Sequence, residues 1–320
     1  MPNSHSENSV AQDWDRYWKG SQDQSAFGSG GVNHPAILAF WTTFFRASAN
    51  PTTRIIDIAS GTGAVIEAAT HVDQSPGDFI CVDTSIAAIN TLCSRFLNVQ
   101  GLVADASQLP LEDESQSMAT SQFGLEYAGK EAFSELIRVL AKGGRLALVL
   151  HCDHGIIFNE AAASLDATKR LKESEFLPLA TEMFKAGFAI YRGANPAEFE
   201  AAAKRLMPAF KSLEPIMDEH GVHVAGDTIC ELYNEVARIQ GRMQHHDEQE
   251  VINWLTRIGQ ELDAYAGRMK SMQQAALSKE EFLEFTDKLN TGGFEIQQAE
   301  ALRVANHPLP LAWILTANKQ

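Results

Sequence analysis

Basic residues are scarce in this chain. Against 41 aspartates and glutamates stand only 26 lysines and arginines, a formal net charge of −15. Binding along a polyanion rests on many Lys and Arg contacts to phosphate, so no nucleic-acid partner and no anionic membrane surface is expected. Cysteine is sparse as well. Cys81, Cys93, Cys152 and Cys230 form no C-x-x-C pair, and reduced thiols in a cytoplasmic protein are the expectation. Long apolar runs are missing. The first ten residues, M-P-N-S-H-S-E-N-S-V, have neither a basic start nor an apolar core, which gives no sign of a signal peptide or membrane span. What remains, 45% hydrophobic and 21% charged over 320 residues, is the composition of an ordinary globular protein. That length can bury a large core as one elaborated domain or two.

The stretch from Arg54 to Thr70, R-I-I-D-I-A-S-G-T-G-A-V-I-E-A-A-T, organises the rest. Ile55, Ile56 and Ile58 form a β-branched run interrupted only by Asp57, as in a strand buried on both faces. Ala59, Ser60, Gly61 and Gly63 then make a loop whose glycines can turn tightly and approach a ligand, and the helix after it presents its first amides. A dinucleotide fingerprint requires a third glycine at position 66, where Ile66 stands. A second short strand, Phe79–Val82, ends in Asp83, twenty residues after Gly63. That is the spacing at which α/β nucleotide sites place a carboxylate for the two ribose hydroxyls. Thr84 follows it.

A third strand at Leu102 and Val103 leads into V-A-D-A-S-Q-L-P, with Asp105 and Ala106. Met118 to Phe123 reads as strand four and is followed by S-Q-F-G-L-E-Y-A, which places Gln122, Glu126 and Tyr127 at the carboxyl edge of the sheet, where doubly wound folds bind ligands. Phe133, Leu136, Ile137 and Leu140 mark a helix, with Gly143 and Gly144 expected to end it, and Arg145 to Leu150 gives strand five. His151, Cys152, Asp153 and His154 come next. Neighbouring side chains alternate in direction and no second cluster has matching spacing, so no metal site is assigned. His151 is instead a candidate base or orienting group. From about residue 155 to 277 only helical periodicity remains, and this insertion is expected either to cap an acceptor site or to form a homodimer surface, a role its methionines would suit. Ser278 and Glu281 form a capping box for one more helix, and strands near 294–301 and 312–317 close the chain as a hairpin. Near the start, Trp14, Tyr17 and Trp18 share one side of a helical turn, either anchoring an arm or covering a ligand.

Asp57, Ala59, Gly61 and Gly63 resemble motif I of the class I S-adenosyl-L-methionine (SAM)-dependent methyltransferases, with Ala59 in place of the first glycine. R-V-L-A-K-G-G-R is similar to a segment common in these enzymes, W-D-R-Y-W to their aromatic arm, and the closing hairpin to their antiparallel seventh strand. The resemblance implies a doubly wound, Rossmann-like, mostly parallel seven-stranded sheet with an antiparallel last strand and an all-helical insertion. It implies SAM as cofactor, held by Asp57, Ala59, Ser60, Gly61, Gly63, Asp83, Thr84, Asp105, Ala106, Gln122 and Tyr17, with Asp105 at the adenine. A methyl group would pass in line to a small-molecule O, N or S acceptor, with His151, Glu126 and Tyr127 as catalytic candidates. The expected divisions are an arm and leading helix over 1–50, a SAM-binding core over 51–154, the helical insertion over 155–277 and a return to the core over 278–320. Alternatives are another SAM-using reaction, an NAD enzyme, which Ile66 and the hairpin argue against, and a non-catalytic SAM-binding scaffold.

Overall fold

The computed structural model describes residues 33–48, 52–72 and 77–320. The aromatic segment with Tyr17 and the glycine-rich run after it lie outside these residues. Seven strands, β1 (Arg54–Ile58), β2 (Asp78–Asp83), β3 (Val99–Val103), β4 (Gln116–Gln122), β5 (Leu140–Leu150), β6 (Phe294–Arg303) and β7 (Pro310–Lys319), form one sheet in the order β3-β2-β1-β4-β5-β7-β6. The pairs β1/β2, β1/β4, β2/β3 and β4/β5 are parallel. Strand β7 runs antiparallel to both its neighbours. The expected doubly wound sheet with a reversed last strand is therefore present. Because β1 to β5 point the same way, the loops after them all leave at one edge, and the winding reverses between β1 and β4.

The apolar content of β1 explains its central place. Ile55, Ile56 and Ile58 are fully buried, as a strand covered on both faces requires. Helix α1 (Pro35–Arg46) starts with proline in its first turn and an N-cap bond from the Ala36 amide to His34, and it buries Trp41 and Phe45, the latter edge-on to Phe79 of β2 at 6.1 Å. Helices α2 (Ala64–Ala69), α3 (Ile86–Arg95) and α4 (Gly129–Val139) connect the parallel strands. Ser85 caps α3 by accepting from the Ala88 amide, and α4 buries Ala132, Leu136 and Val139.

Gly143 and Gly144 do not end α4 as the sequence suggests. The helix stops at Val139, Leu140 turns to an extended conformation, and both glycines lie within β5, where the register to β4 slips between Gln116 and Met118. Gly143 takes a φ of 73° there, which glycine tolerates without a Cβ clash. The same dipeptide serves a bulge as readily as a helix end.

After β5 come α5 (Ile156–Glu173), α6 (Phe176–Ile190), α7 (Pro196–Lys211), α8 (Leu213–His220), α9 (Thr228–Gly241), α10 (Glu248–Ala275) and α11 (Lys279–Thr291). The capping box of α11 is formed: Ser278 Oγ accepts from the Glu281 amide and Glu281 answers from the Ser278 amide. The chain separates into two compact units, one holding the sheet and resuming at Ser271, the other taking in residues 160–270. The second has a core of its own, including Phe176, Phe184, Leu206, Leu213, Leu232 and Leu255. Phe210 stacks between Phe176 at 6.2 Å and Tyr233 at 4.6 Å. Met183, Met243, Met269 and Met272 are all buried, so these methionines fill protein interior.

The end of the chain fastens α4. Lys319 Nζ donates to the carbonyls of Ile137 at 2.9 Å and Leu140 at 2.6 Å, acceptors that a helix C-terminus leaves without amide partners. Lys319→Met keeps most of the aliphatic stem and removes both bonds. It should lower unfolding free energy by about 1 to 3 kcal/mol, measured by denaturant unfolding, and an unchanged midpoint would show that the carbonyls find other partners.

Candidate functional site

The loop after β1 is held by the end of β2. Ser60 N donates to the Val82 carbonyl and Gly61 N to Asp83 Oδ2, both at 2.9 Å, while Asp83 Oδ1 accepts from Ser85 N at 2.8 Å. Both oxygens of Asp83 thus carry a main-chain amide. Burial pushes its carboxyl above the ordinary value, and the amide bonds oppose that shift. Gly61 and Gly63 adopt φ of 53° and 96°. A Cβ on Gly63 would sit 2.7 Å from Phe96 Cε2, so the loop needs glycine there for space as well as conformation.

Ala59 also has a left-handed φ, 54°, which costs a non-glycine residue roughly 1 to 2 kcal/mol. The loop after β4 packs against it: a Cβ on Gly124 would lie 2.3 Å from the Ala59 methyl. The departure from glycine at position 59 is therefore matched by a glycine at 124.

Asp57 is 1% exposed. Its Oδ1 accepts from the Thr120 hydroxyl at 2.8 Å, but Oδ2 has no partner among the described residues. Ser60 Oγ, next to it, donates at 2.7 Å to the main-chain oxygen of Asp57. Burial raises the Asp57 pKa to about 7, with the Thr120 bond working the other way. An unanswered buried acceptor beside a glycine loop calls for a donor from outside the described residues, and a bound ligand can supply it. A ligand bearing hydroxyls and an ammonium group fits this donor-poor, acidic setting.

The other expected cofactor residues lie along the same edge. Asp105, exposed after β3, accepts from Ser107 N at 2.8 Å, and Ala106 is buried beneath it. Thr84 is exposed beside Asp83. Gln122 ends β4, and its Oε1 accepts from Trp41 Nε1 at 2.5 Å. Trp41 was not singled out in the sequence; its place in the apolar face of α1 gave no signal of a polar role.

The three catalytic candidates meet. His151 follows β5, and Glu126 and Tyr127 lie in a 3-10 turn (Leu125–Ala128) after β4. Glu126 Oε1 is 2.7 Å from His151 Nδ1 and accepts from His151 N at 2.9 Å. Both side chains are almost wholly buried, and Glu126 Oε2 has no partner among the described residues. Phe123 lies 4.3 Å from the imidazole at 33°, and Tyr127 meets it edge-on at 5.6 Å. Phe123 has a φ of 52° while its N–H donates to the Val149 carbonyl at 2.8 Å. The sequence offered the Gly124 that follows Phe123 but no sign of this strain.

The other residues of the H-C-D-H run diverge from His151. Cys152 is buried and bridges to Leu277, while His154 is largely exposed and contacts Asp153. Elsewhere Asp166, Glu219 and His220 come within ligating distance of one another. Arg170 donates to both carboxylates and His220 Nε2 lies 2.8 Å from Asp166, so those carboxylates are answered by side chains of the protein itself.

Residues 55–144 match a family model described as a methyltransferase domain. Over 207 residues the chain is 29% identical to an uncharacterized methyltransferase of Schizosaccharomyces pombe, covering 62% of this chain and 81% of that one. Over 187 residues it is 27% identical to a ubiquinone/menaquinone biosynthesis C-methyltransferase of Ectopseudomonas mendocina, 56% of this chain and 68% of the relative. Among solved structures, a geranyl diphosphate C-methyltransferase of Streptomyces coelicolor aligns with a TM-score of 0.33 and 16% identity, over 44% of this chain and 66% of that one. Residues 55–144 thus match a methyltransferase domain, and the similarity to methyltransferases supports the class I SAM-dependent reading of the chain.

The carboxyl of Asp57 gives a pH signature. In the free protein its raised pKa makes a contribution to stability that is full below the unfolded value near 3.8. The contribution shrinks as pH rises toward 7 and is lost above it. Asp57→Asn fixes the uncharged form. The Tm difference, variant minus wild type, should be larger at pH 8 than at pH 5, and equal differences at the two pH values would refute the assignment.

Proposed function

We propose that this methyltransferase acts on a small-molecule acceptor and binds its cofactor across the ends of β1, β2, β3 and β4. The observation that carries this reading is the buried Asp57 Oδ2, without a partner among the described residues, beside a glycine loop that Asp83 already holds in place. On this reading Gly61, Gly63, Ser60 and Ala59 bring main chain against the ligand, and Asp57 accepts from a donor at its methionine end. Asp83 and Thr84 take the ribose, and Asp105 and Ala106 the adenine edge. Gln122 borders the reacting end. The quinone-biosynthesis role in the name of the Ectopseudomonas mendocina relative favours a small acceptor.

When bound, SAM supplies an electrophilic methyl group on a sulfonium. The chain's residues align the acceptor with that methyl and exclude water, the main contributions required of a protein in a direct displacement. No covalent enzyme intermediate is needed.

Calorimetry with SAM and with S-adenosylhomocysteine, followed by release of S-adenosylhomocysteine over a panel of acceptors, tests the reading. Binding without turnover of any small acceptor would favour a scaffold role. Asp83→Ala removes the partner of two amides as well as the proposed ribose contact. It should weaken SAM binding by about 1 to 3 kcal/mol, and unchanged affinity would take Asp83 out of the site.

A further inference from the structure

Among the polar groups at the carboxyl edge, the Glu126–His151 pair stands apart from those assigned to the cofactor. Two of its features are unusual. One carboxylate oxygen receives both the main-chain N–H and Nδ1 of the same histidine. The other oxygen is buried with no partner among the described residues. A carboxylate oxygen that already accepts an amide is an acceptor toward the ring as well. Nδ1 therefore carries the proton, and the Nε2 lone pair is left free to act. A buried carboxylate with one oxygen unanswered also gains most when the ring opposite it becomes positively charged. The pair is built to receive a proton at Nε2.

We propose that the acceptor presents an ionisable hydroxyl on a conjugated carbon, phenolic or enolic, that His151 removes its proton, and that Glu126 is the positioning residue that fixes the imidazole. The proposal rests on the methyltransferase reading and names the substrate class of that site. The acceptor oxygen forms a bond to the methyl carbon as the carbon–sulfur bond breaks. The pair of that bond stays on sulfur, giving the neutral thioether, and the hydroxyl proton goes to Nε2 and then to solvent. In a conjugated acceptor the same deprotonation also makes the ring carbon nucleophilic.

Acidity selects this class. An imidazole base can share the proton of a phenol, whose ordinary pKa is near 10, in the transition state, and a thiol, near 8.5, ionises appreciably without it. A neutral amine attacks through its own lone pair and needs no base beforehand. An alcohol with an acidity near that of water, about 15.7, lies too far above the imidazole for effective transfer. Two aromatic rings pack on the imidazole and would suit a flat acceptor beside it. Phe123 and Tyr127, both half-buried, flank the imidazole, and the strained backbone of Phe123 is held to Val149, as happens where a side chain must be aimed.

The full chain should be assayed with para-substituted phenols, aliphatic alcohols, primary amines and thiols, reading release of S-adenosylhomocysteine. Turnover of phenols above the other classes is expected. His151→Gln should reduce kcat by about 10²- to 10⁴-fold, and Glu126→Gln by at least about tenfold, with KM for SAM moving less than about twofold. Independently of activity, long-range proton–nitrogen NMR should show His151 as the Nδ1–H tautomer in the wild type and not in Glu126→Gln. Thermal unfolding and S-adenosylhomocysteine calorimetry report whether each variant is folded, and if Glu126→Gln is not, Glu126→Asp is read by the same NMR signal and the same kcat. Four results would overturn the proposal: turnover confined to amines, thiols or alcohols; no turnover of any phenol by protein that binds S-adenosylhomocysteine; an Nε2–H tautomer in the wild type; or a folded Glu126 variant with unchanged kcat. Protein that binds neither SAM nor S-adenosylhomocysteine would instead overturn the cofactor reading beneath it.

Discussion

The carboxylate of Asp83 ties the amide of Gly61 to the end of the neighbouring strand, and much of the site depends on that tie. Parallel pairing makes it available: Ile58 and Val82 are register partners, so the residues just beyond them leave the sheet side by side. One oxygen reaches across to the loop and the other turns back to Ser85. The loop is thus set by the protein before any ligand arrives, which lowers the ordering cost of binding. The tie also reaches further along the edge. Ala59 stands in the left-handed region and its methyl fills the space that a side chain at Gly124 would need. The turn carrying Glu126 begins at that glycine. A change in the first loop would therefore be felt by the turn after β4 through direct packing.

Some of this was legible in the sequence because the constraints are local. The Ile55, Ile56, Ile58 run marks a buried strand, and Ser278 with Glu281 marks a helix start, since each reports a period or cap that the chain satisfies within a few residues. The interval from Gly63 to Asp83 was also informative, because a loop, a short helix and a strand fix the distance between two strand tips. The closing hairpin could be read from its two β-rich runs, and the reversed β7 from its resemblance to methyltransferases. Gly143 and Gly144 were ambiguous for a physical reason: glycine relieves backbone strain at a helix end and at a bulge alike, and only the register between β4 and β5 decides which.

The meeting of Glu126 with His151 belongs to a different order of information. Each residue was a candidate because it follows a strand at the ligand-binding edge. Their contact depends on the alignment of β4 with β5, where Gln122 pairs with Val149, and on a single 3-10 turn that brings the glutamate back to the sheet. Neither the turn nor the register has a sequence signature of its own. Trp41 is a parallel case. Its ring belongs to an apolar stripe in any helical reading, and only the packed structure shows its N–H spent on Gln122.

Two buried carboxylates at this edge each keep one oxygen without a partner among the described residues, and the contrast between them separates binding from chemistry. Asp57 is answered only by neutral hydroxyls, those of Thr120 and Ser60, and desolvation holds its pKa near neutrality. It accommodates a proton in the free protein and can give it up when a ligand brings a donor of its own. Glu126 is answered by two N–H groups of one histidine, one of them on a ring able to become cationic. Its compensation is internal and moves with the proton on His151. A chain selected for stability alone would have filled both sites with apolar side chains or paired both charges. Leaving each half answered, one toward the glycine loop and one beside an imidazole walled by Phe123 and Tyr127, puts the cost where a ligand can offset the first and a proton the second.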